Sequence, residues 1–395
     1  MTAGTRDRAI LVAGMVSDRI GMALLFVVFG PLVRQLGLSE LQYGVLIAAA
    51  NVTLGFASPY WGRRSQDIGR RPVFIIGLAG YALGFLLLAL ALQAGLAGWI
   101  APGSLFALLL AARLGYGLLA AATQPAATAY VADITAAQER TRGMALIGVA
   151  GGVGTILGPI AGGTLSAIGA VLPMYVAAGL SAAVAAVASL ALREPARHAA
   201  TSTRARMAPT DRRVFPYLAA WCLGVLVLTG VQTITVFYLE DGFGLSGREP
   251  VTRATSVALL VMGVVMVVVQ AGILQRFRPA PVALLRAGFV VLALSLLVLL
   301  AARSVHELYF AYALIGLGYS SLSSGLNAAA TLSVTPGEQG AVAGLLATAP
   351  VLGMLIGPVL ATTLYGADPA WPLALGAGGC AAMAAWFFRR PLRQG

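Results

Sequence analysis

The sequence predicts an all-α membrane protein with twelve transmembrane helices in two pseudo-symmetric six-helix halves. Three observations carry that expectation. Of 395 residues, 59% are hydrophobic and only 10% are charged, against about a quarter charged in a typical soluble protein, and mean hydropathy is +0.88. Twelve runs are apolar and long enough to cross a bilayer, which takes about 20 residues for a hydrocarbon core of roughly 30 Å. An internal echo divides the chain: Gly154-Thr155-Ile156-Leu157-Gly158-Pro159 returns as Gly353-Met354-Leu355-Ile356-Gly357-Pro358, 199 residues on, and Glu139 and Glu338 keep that offset.

The first half, residues 1–192, holds runs at Ala9 to Val33, Leu41 to Trp61, Pro72 to Ala94, Gly103 to Val131, Met144 to Ser166 and Val171 to Leu192. The first run carries Asp18 and Arg19 and has no small-residue cleavage site, so it reads as a retained helix rather than a signal peptide. Residues 193–213 hold six arginines, Pro195 and Pro209 without apolar periodicity, the composition of a polar linker. The second half, residues 214–395, holds runs at Phe215 to Leu239, Thr255 to Leu274, Ala280 to Ala301, Leu308 to Ser333, Ala341 to Tyr365 and Trp371 to Phe388. Related halves are the build of many secondary transporters, whose substrate site lies near the midplane between the repeats.

All 26 basic residues are arginine, giving a net charge of +12. Such a balance raises nucleic acid as a partner until the arginines are placed. With the N-terminus inside, 19 fall in cytoplasmic segments, four outside (Arg34, Arg248, Arg253, Arg303) and three within spans (Arg19, Arg113, Arg286). That asymmetry is the positive-inside pattern. It puts both termini in the cytoplasm and assigns the charge to topology, with the lipid bilayer and not nucleic acid as the surface met.

Ionisable groups inside spans are costly and mark function by default. Asp18 is the only acid well inside any run, roughly 13 Å deep at about 1.5 Å per residue, and is the candidate proton carrier. Arg113, near the middle of the fourth run, is expected either to pair with Asp18 or to meet an anionic group on the cargo. Arg19 points about 100° away from Asp18 and serves another neighbour. Arg286 sits near a run end, where snorkelling suffices. Polar candidates for a substrate cavity are Asn51, Tyr116, Gln124, Gln232, Tyr238, Tyr312 and Asn327, with interhelical hydrogen bonding as the competing role. Tyr319 and the serines Ser320, Ser321, Ser323 and Ser324 join them.

Enzyme readings find no support. His198 and His306 fall on opposite sides of the membrane on this topology, so no metal or acid–base cluster forms from them. A chain without lysine has no Walker motif. Cys222 and Cys380 lie in apolar runs as small filler. No cofactor is implied, and a monomer is expected.

Three motifs bear a resemblance. Gly62-Arg63-Arg64-Ser65-Gln66-Asp67-Ile68-Gly69-Arg70-Arg71-Pro72 resembles the G-x-x-x-D-R-x-G-R-R loop of the major facilitator superfamily, although Gln66 stands where the family has aspartate and Asp67 comes one position later. Arg113 followed by Gly117 is similar to its R-x-x-x-G motif. Gly154, Gly158, Pro159, Gly162 and Gly163 resemble the G-x-x-x-G-P-x-x-G-G signature of its proton-coupled exporters. With Ala132-Asp133 and Arg140, the whole chain is most similar to the 12-helix drug/proton antiporters, the tetracycline exporters among them. The resemblance implies that Gly62, Gln66, Asp67, Gly69, Arg70 and Arg71 form the gating loop, with Asp67 partly replacing the missing aspartate. Beside it stands a physical reading of the fifth run: glycines clear one helix face for close packing and Pro159 bends the helix.

The function expected is proton-coupled export of a small amphipathic neutral, zwitterionic or anionic compound, a drug or an endogenous metabolite such as a siderophore. It would work by alternating access in the inner membrane, with Asp18 and Arg113 coupling the proton. A proton symporter importing a sugar or organic acid is the alternative on the same fold. The ninth run has Arg286 and no acid, which speaks against tetracycline itself as cargo.

Overall fold

A computed structural model describes residues 3–135, 140–195, 207–245, 247–277, 279–335 and 338–389, except the side chains of residues 3–5, 140–147, 273 and 275. Glu139, His198, most of the expected linker and the side chain of Arg140 therefore lie outside the described residues. The first half contains α1 (Ala3–Gln35), α2 (Glu40–Ile68), α3 (Arg70–Leu96), α4 (Pro102–Ala120), α5 (Thr123–Ile134), α6 (Arg140–Ile168) and α7 (Leu172–Ala191). The second contains α8 (Phe215–Phe243), α9 (Arg248–Val268), a π-helical turn (Val269–Ile273), α10 (Leu274–Phe277), α11 (Pro281–Ala301), α12 (Val305–Leu332), α13 (Gln339–Ala367) and α14 (Trp371–Arg389).

These elements make the twelve expected rods, because α4 and α5 share one span, Pro102–Ile134, and the π turn joins α9 to α10. The break inside the fourth rod comes at Ala121 and Ala122, whose N–H groups donate to Gly117 and Leu119. Pro125 lies one turn on and has no N–H to continue the α-helical ladder there. Among the described residues, eleven rods are apolar enough to span on length and composition alone. The twelfth, α12, runs 28 residues but is diluted by Tyr319, Ser320, Ser321, Ser323, Ser324 and Asn327.

Helix ends follow local sequence. Ser39 caps α2 with a reciprocal box: its Oγ accepts from the Gln42 N–H at 3.2 Å and Gln42 Oε1 accepts from the Ser39 N–H at 2.9 Å. Ser304 caps α12 with one half of that box, its Oγ accepting from the Glu307 N–H at 3.3 Å, while Glu307 Oε2 accepts from the Arg303 N–H at 2.7 Å.

Contacts divide the chain into two units, Met1–Ala200 with Gly247–Ser256, and Thr201–Ser246 with Val257–Gly395. In unit 1, α1 packs on α6, α3 on α4 and α7, and α2 on α4. In unit 2, α8 packs on α13, and α11 on α12 and α14. Each unit also leaves an apolar stripe uncovered, Leu83, Leu86, Leu87 and Leu90 on α3 and Val290, Leu294 and Leu297 on α11. Spacing by three and four places each stripe on one helix face, as a lipid-facing surface requires.

Candidate transport site

The glycine stripe fixes the geometry around Asp18. A Cβ on Gly154 would strike Arg19 Cβ, one on Gly158 would strike Ala23 Cβ, and one on Gly162 would come within 3.2 Å of Val27. Residues 19, 23 and 27 are one face of α1, so glycines four apart on α6 admit that face at backbone distance. Gly163 looks elsewhere, toward Ser256 of unit 1, whose Oγ would lie 2.5 Å from an added Cβ. Unit 2 repeats the device. Gly353 faces the Cys222 carbonyl and Leu226, and Gly357 faces Thr229 and the Leu226 carbonyl.

Asp18 sits in α1, beside that face, with its side chain 15% exposed. Its Oδ2 is 3.8 Å from Arg19 Nε, and its backbone carbonyl accepts from the Tyr81 hydroxyl at 3.3 Å. Arg19 reaches on to a different neighbour, as its position predicts, donating from Nη2 to Gln124 Oε1 at 2.8 Å. One acid, one arginine and one amide thus connect α1 to α5.

Arg113 does not pair with Asp18. It is 1% exposed, its Nε donates to the Leu46 carbonyl at 2.9 Å and its Nη2 to the Ile47 carbonyl at 3.4 Å. Its guanidinium lies 5.3 Å from the Tyr116 ring centroid. Helix carbonyls keep a second lone pair and an aromatic face is electron-rich, so α2 and Tyr116 hold the cation in place of a carboxylate. Nη1 is buried without a hydrogen-bond partner among the described residues. Asn51 converges on the same place, donating to the Ile47 carbonyl at 3.3 Å.

The remaining cavity candidates sort by exposure. Tyr116 is packed, its hydroxyl on Met22 Sδ at 3.4 Å and its ring edge-on to Tyr81 and Phe85. It also borders an apolar groove of about 480 Å³ between α3 and α4, whose other lining includes Leu83, Leu87 and Leu90 of the lipid-facing stripe. Tyr312 is buried and bonded to Thr235, while Tyr238 ties α8 to α11 by donating to the Leu299 carbonyl at 2.9 Å. Gln232 is half-buried, and Gln124 and Asn327 are exposed. Arg286 donates to the Phe387 carbonyl at 3.0 Å and covers the Phe388 ring, a location at the end of α14 that suits a snorkelling side chain.

The α2–α3 loop shrinks to Gly69, whose φ of +106° only glycine adopts without strain. Ser65 Oγ donates to the Gly62 carbonyl at 2.8 Å and accepts from Arg70 Nη1 at 2.8 Å, while Arg70 Nε meets Asp133 Oδ2 at 3.0 Å. Gln66 is exposed, and Asp67 is turned outward with Oδ2 3.7 Å from Arg64 and 67% of its side chain exposed. The carboxylate at the α3 N-terminus is instead Glu194, from just past α7, whose oxygens accept from the Arg70 and Arg71 N–H groups at 2.6 and 3.0 Å. Arg71 also donates to the Ser189 carbonyl. A negative charge on unsatisfied N-terminal donors is favourable. Glu194 was hidden in the sequence because it lies 124 residues from Arg70, in a segment that reads as linker.

Where α13 begins, Arg213 bridges Asp211 and Glu338 at 2.9 Å each. The Arg213 guanidinium, with Thr335, holds the Glu338 carboxyl down at about 2, and the same arginine lowers Asp211. Gln270, in the π turn, is a further polar residue exposed within a span. Sequence gives little notice of it beyond the neighbouring Gly272.

Comparison with known proteins agrees with this architecture. Residues 11–358 match the family profile of the Major Facilitator Superfamily. Multidrug resistance protein 1 of Bacillus subtilis (strain 168) is 24% identical over 376 residues, covering 92% of this chain and 90% of that protein. Tetracycline resistance protein, class C, of Escherichia coli is 26% identical over 388 residues, covering 92% and 91%. Among solved structures, a bacterial homolog to the human lysosomal transporter Spinster, inward-facing and unoccupied, superposes with a TM-score of 0.77 at 15% identity, covering 98% of this chain and 97% of that one. The human organic anion transporter MFSD10 gives 0.68 at 20% identity, covering 97% and 99%. With twelve rods, a glycine-cleared α1–α6 contact and a family match over nearly its whole length, the chain belongs to the Major Facilitator Superfamily and is a multi-pass membrane transporter rather than an enzyme.

Proposed function

We propose that the chain is a proton-coupled exporter of a small amphipathic neutral, zwitterionic or anionic compound, working by alternating access in the inner membrane with both termini in the cytoplasm. The observation that carries this reading is Asp18, the one acid deep in a span, partly exposed and within 3.8 Å of Arg19. A carboxylate in that setting can take and release a proton as its surroundings alternate between wet and dry. Arg19 and Arg113 outnumber it in the spans of unit 1, so the local field disfavours a permanent cation as cargo. Relatives named for multidrug and tetracycline resistance support efflux as the direction. The count of 19 arginines in the segments assigned to the cytoplasm supports the orientation.

The test is substrate uptake into inverted membrane vesicles energised by an inwardly acidic pH gradient. Asp18→Asn is expected to abolish gradient-driven uptake while leaving substrate exchange at equal pH. Unchanged gradient-driven uptake in that variant would overturn the proton role.

A further inference from the structure

Unit 2 carries a polar patch where spanning helices should be apolar. The third turn from the end of α12 presents Ser323, and Asn327 follows one turn later, exposed, with Nδ2 on the Ser323 carbonyl at 2.8 Å. Beside it the α9 rod widens into the π turn Val269–Ile273, where Gln270 is exposed and its Nε2 lies 3.5 Å from Ser323 Oγ. Gln270 Oε1 and Asn327 Oδ1 take no hydrogen bond from the described residues. A π turn costs helix geometry and recurs at functional sites, because one extra residue opens the helix surface. At about 1.5 Å per residue, α12 overhangs a hydrocarbon core of roughly 30 Å by about 6 Å at each end, which puts Ser323 inside the core and Asn327 at its edge. Two amides with open hydrogen-bonding capacity at or near the core boundary are better served by water or cargo than by lipid. It is also α12, the rod that carries Ser323 and Asn327, that falls short of spanning hydropathy.

The geometry points to a neutral hydrogen-bonding subsite on unit 2, built by Gln270, Ser323 and Asn327, that takes an uncharged amide- or hydroxyl-bearing face of the cargo. No carboxylate lies in the middle of any unit 2 span, so the patch has no negative charge to set against a cation. Arg286, the arginine within a span there, donates from Nε to the Phe387 carbonyl and lies over the Phe388 ring at the end of α14, and it makes no hydrogen bond to Gln270, Ser323 or Asn327. The inference rests on the transport reading above and deepens it by naming the cargo chemistry read by this unit.

The experiment replaces Gln270 and Asn327 singly by cysteine in a Cys222→Ser, Cys380→Ser background and labels vesicles with a charged, membrane-impermeant thiosulfonate. Chloramphenicol, an uncharged amide diol, is the probe, and ethidium is the cationic control. Both cysteines should label, chloramphenicol should slow labelling severalfold and ethidium should not. Gln270→Leu should raise the half-saturating concentration for chloramphenicol transport about three- to tenfold, the worth of one hydrogen bond. Absence of labelling, which means the patch faces lipid, would overturn the proposal. So would labelling that chloramphenicol does not slow, together with unchanged half-saturation in Gln270→Leu. Labelling needs no pH gradient, so these outcomes stand apart from the Asp18→Asn result, which bears on the proton role alone.

Discussion

In unit 1 the glycine stripe of α6 receives Arg19, Ala23 and Val27 of α1, whereas in unit 2 the matching stripe of α13 receives Cys222, Leu226 and Thr229 of α8. The packing device is the same and its contents differ. Unit 1 places an arginine in the contact with an aspartate next to it, and adds the buried Arg113 on α4. Unit 2 fills the corresponding positions with neutral residues and keeps its ion cluster at the start of α13. Close helix approach is thus a property of the shared scaffold, and charge at the glycine-cleared contact is a specialisation laid on one copy of it.

The sharpest way to test that division is Arg113→Met. A similar volume without charge removes a buried cation that has no carboxylate partner to be left unpaired, which costs little stability or adds some. Transport should nevertheless fall below detection while the thermal midpoint in detergent holds. Arg113→Lys should not restore it, since an ammonium lacks the fork that reaches two carbonyls while facing Tyr116. A variant Arg113→Met with full transport would mean that unit 1 keeps its charge for packing alone.

Next in size, Gly158→Leu and Gly357→Leu force a side chain into equivalent contacts. Overpacking costs about 1–3 kcal/mol, so both should lower the thermal midpoint by similar amounts. A large drop for one and none for the other would break the equivalence of the two stripes. Smaller again, Glu194→Ala removes a cap from α3 at a cost of about 1 kcal/mol, read as a lower denaturation midpoint, with Glu194→Gln recovering part of it.

The smallest effect belongs to Glu338→Gln. The Glu338 carboxyl is held at about 2, below its ordinary value of 4.5, so the Arg213 pair contributes above that ordinary value and is lost as pH falls through about 2. The wild type should exceed the variant slightly in thermal midpoint at neutral pH, and the gap should close over that acidic window. A gap that widens on acidification would show that Arg213 is held by something other than this carboxylate.

Hydropathy makes the rods legible in the sequence, because a bilayer imposes length and apolarity on each span independently of its neighbours. The glycine stripe was legible for a related reason, since only missing side chains allow such contacts. Partnerships across the chain were not. Arg113 was expected to meet Asp18 or an anion, and meets the carbonyls of Leu46 and Ile47, groups that every helix possesses and no sequence pattern singles out. Glu194 stands in a segment whose composition reads as linker, and its partners are backbone N–H groups on α3, which carry no sequence mark. Gln270 escaped notice because a π turn depends on one extra residue rather than on a composition.

That extra residue also matters for how relatives are compared. An α-helix advances about 100° per residue, so the π turn resets the angular register of everything after it by one position. A relative with one residue fewer between Arg253 and Phe277 would keep both flanks of this rod in place as an uninterrupted helix and present no outward glutamine. In this stretch a single-residue gap, which would ordinarily count against an alignment through a membrane span, marks true equivalence of the flanks.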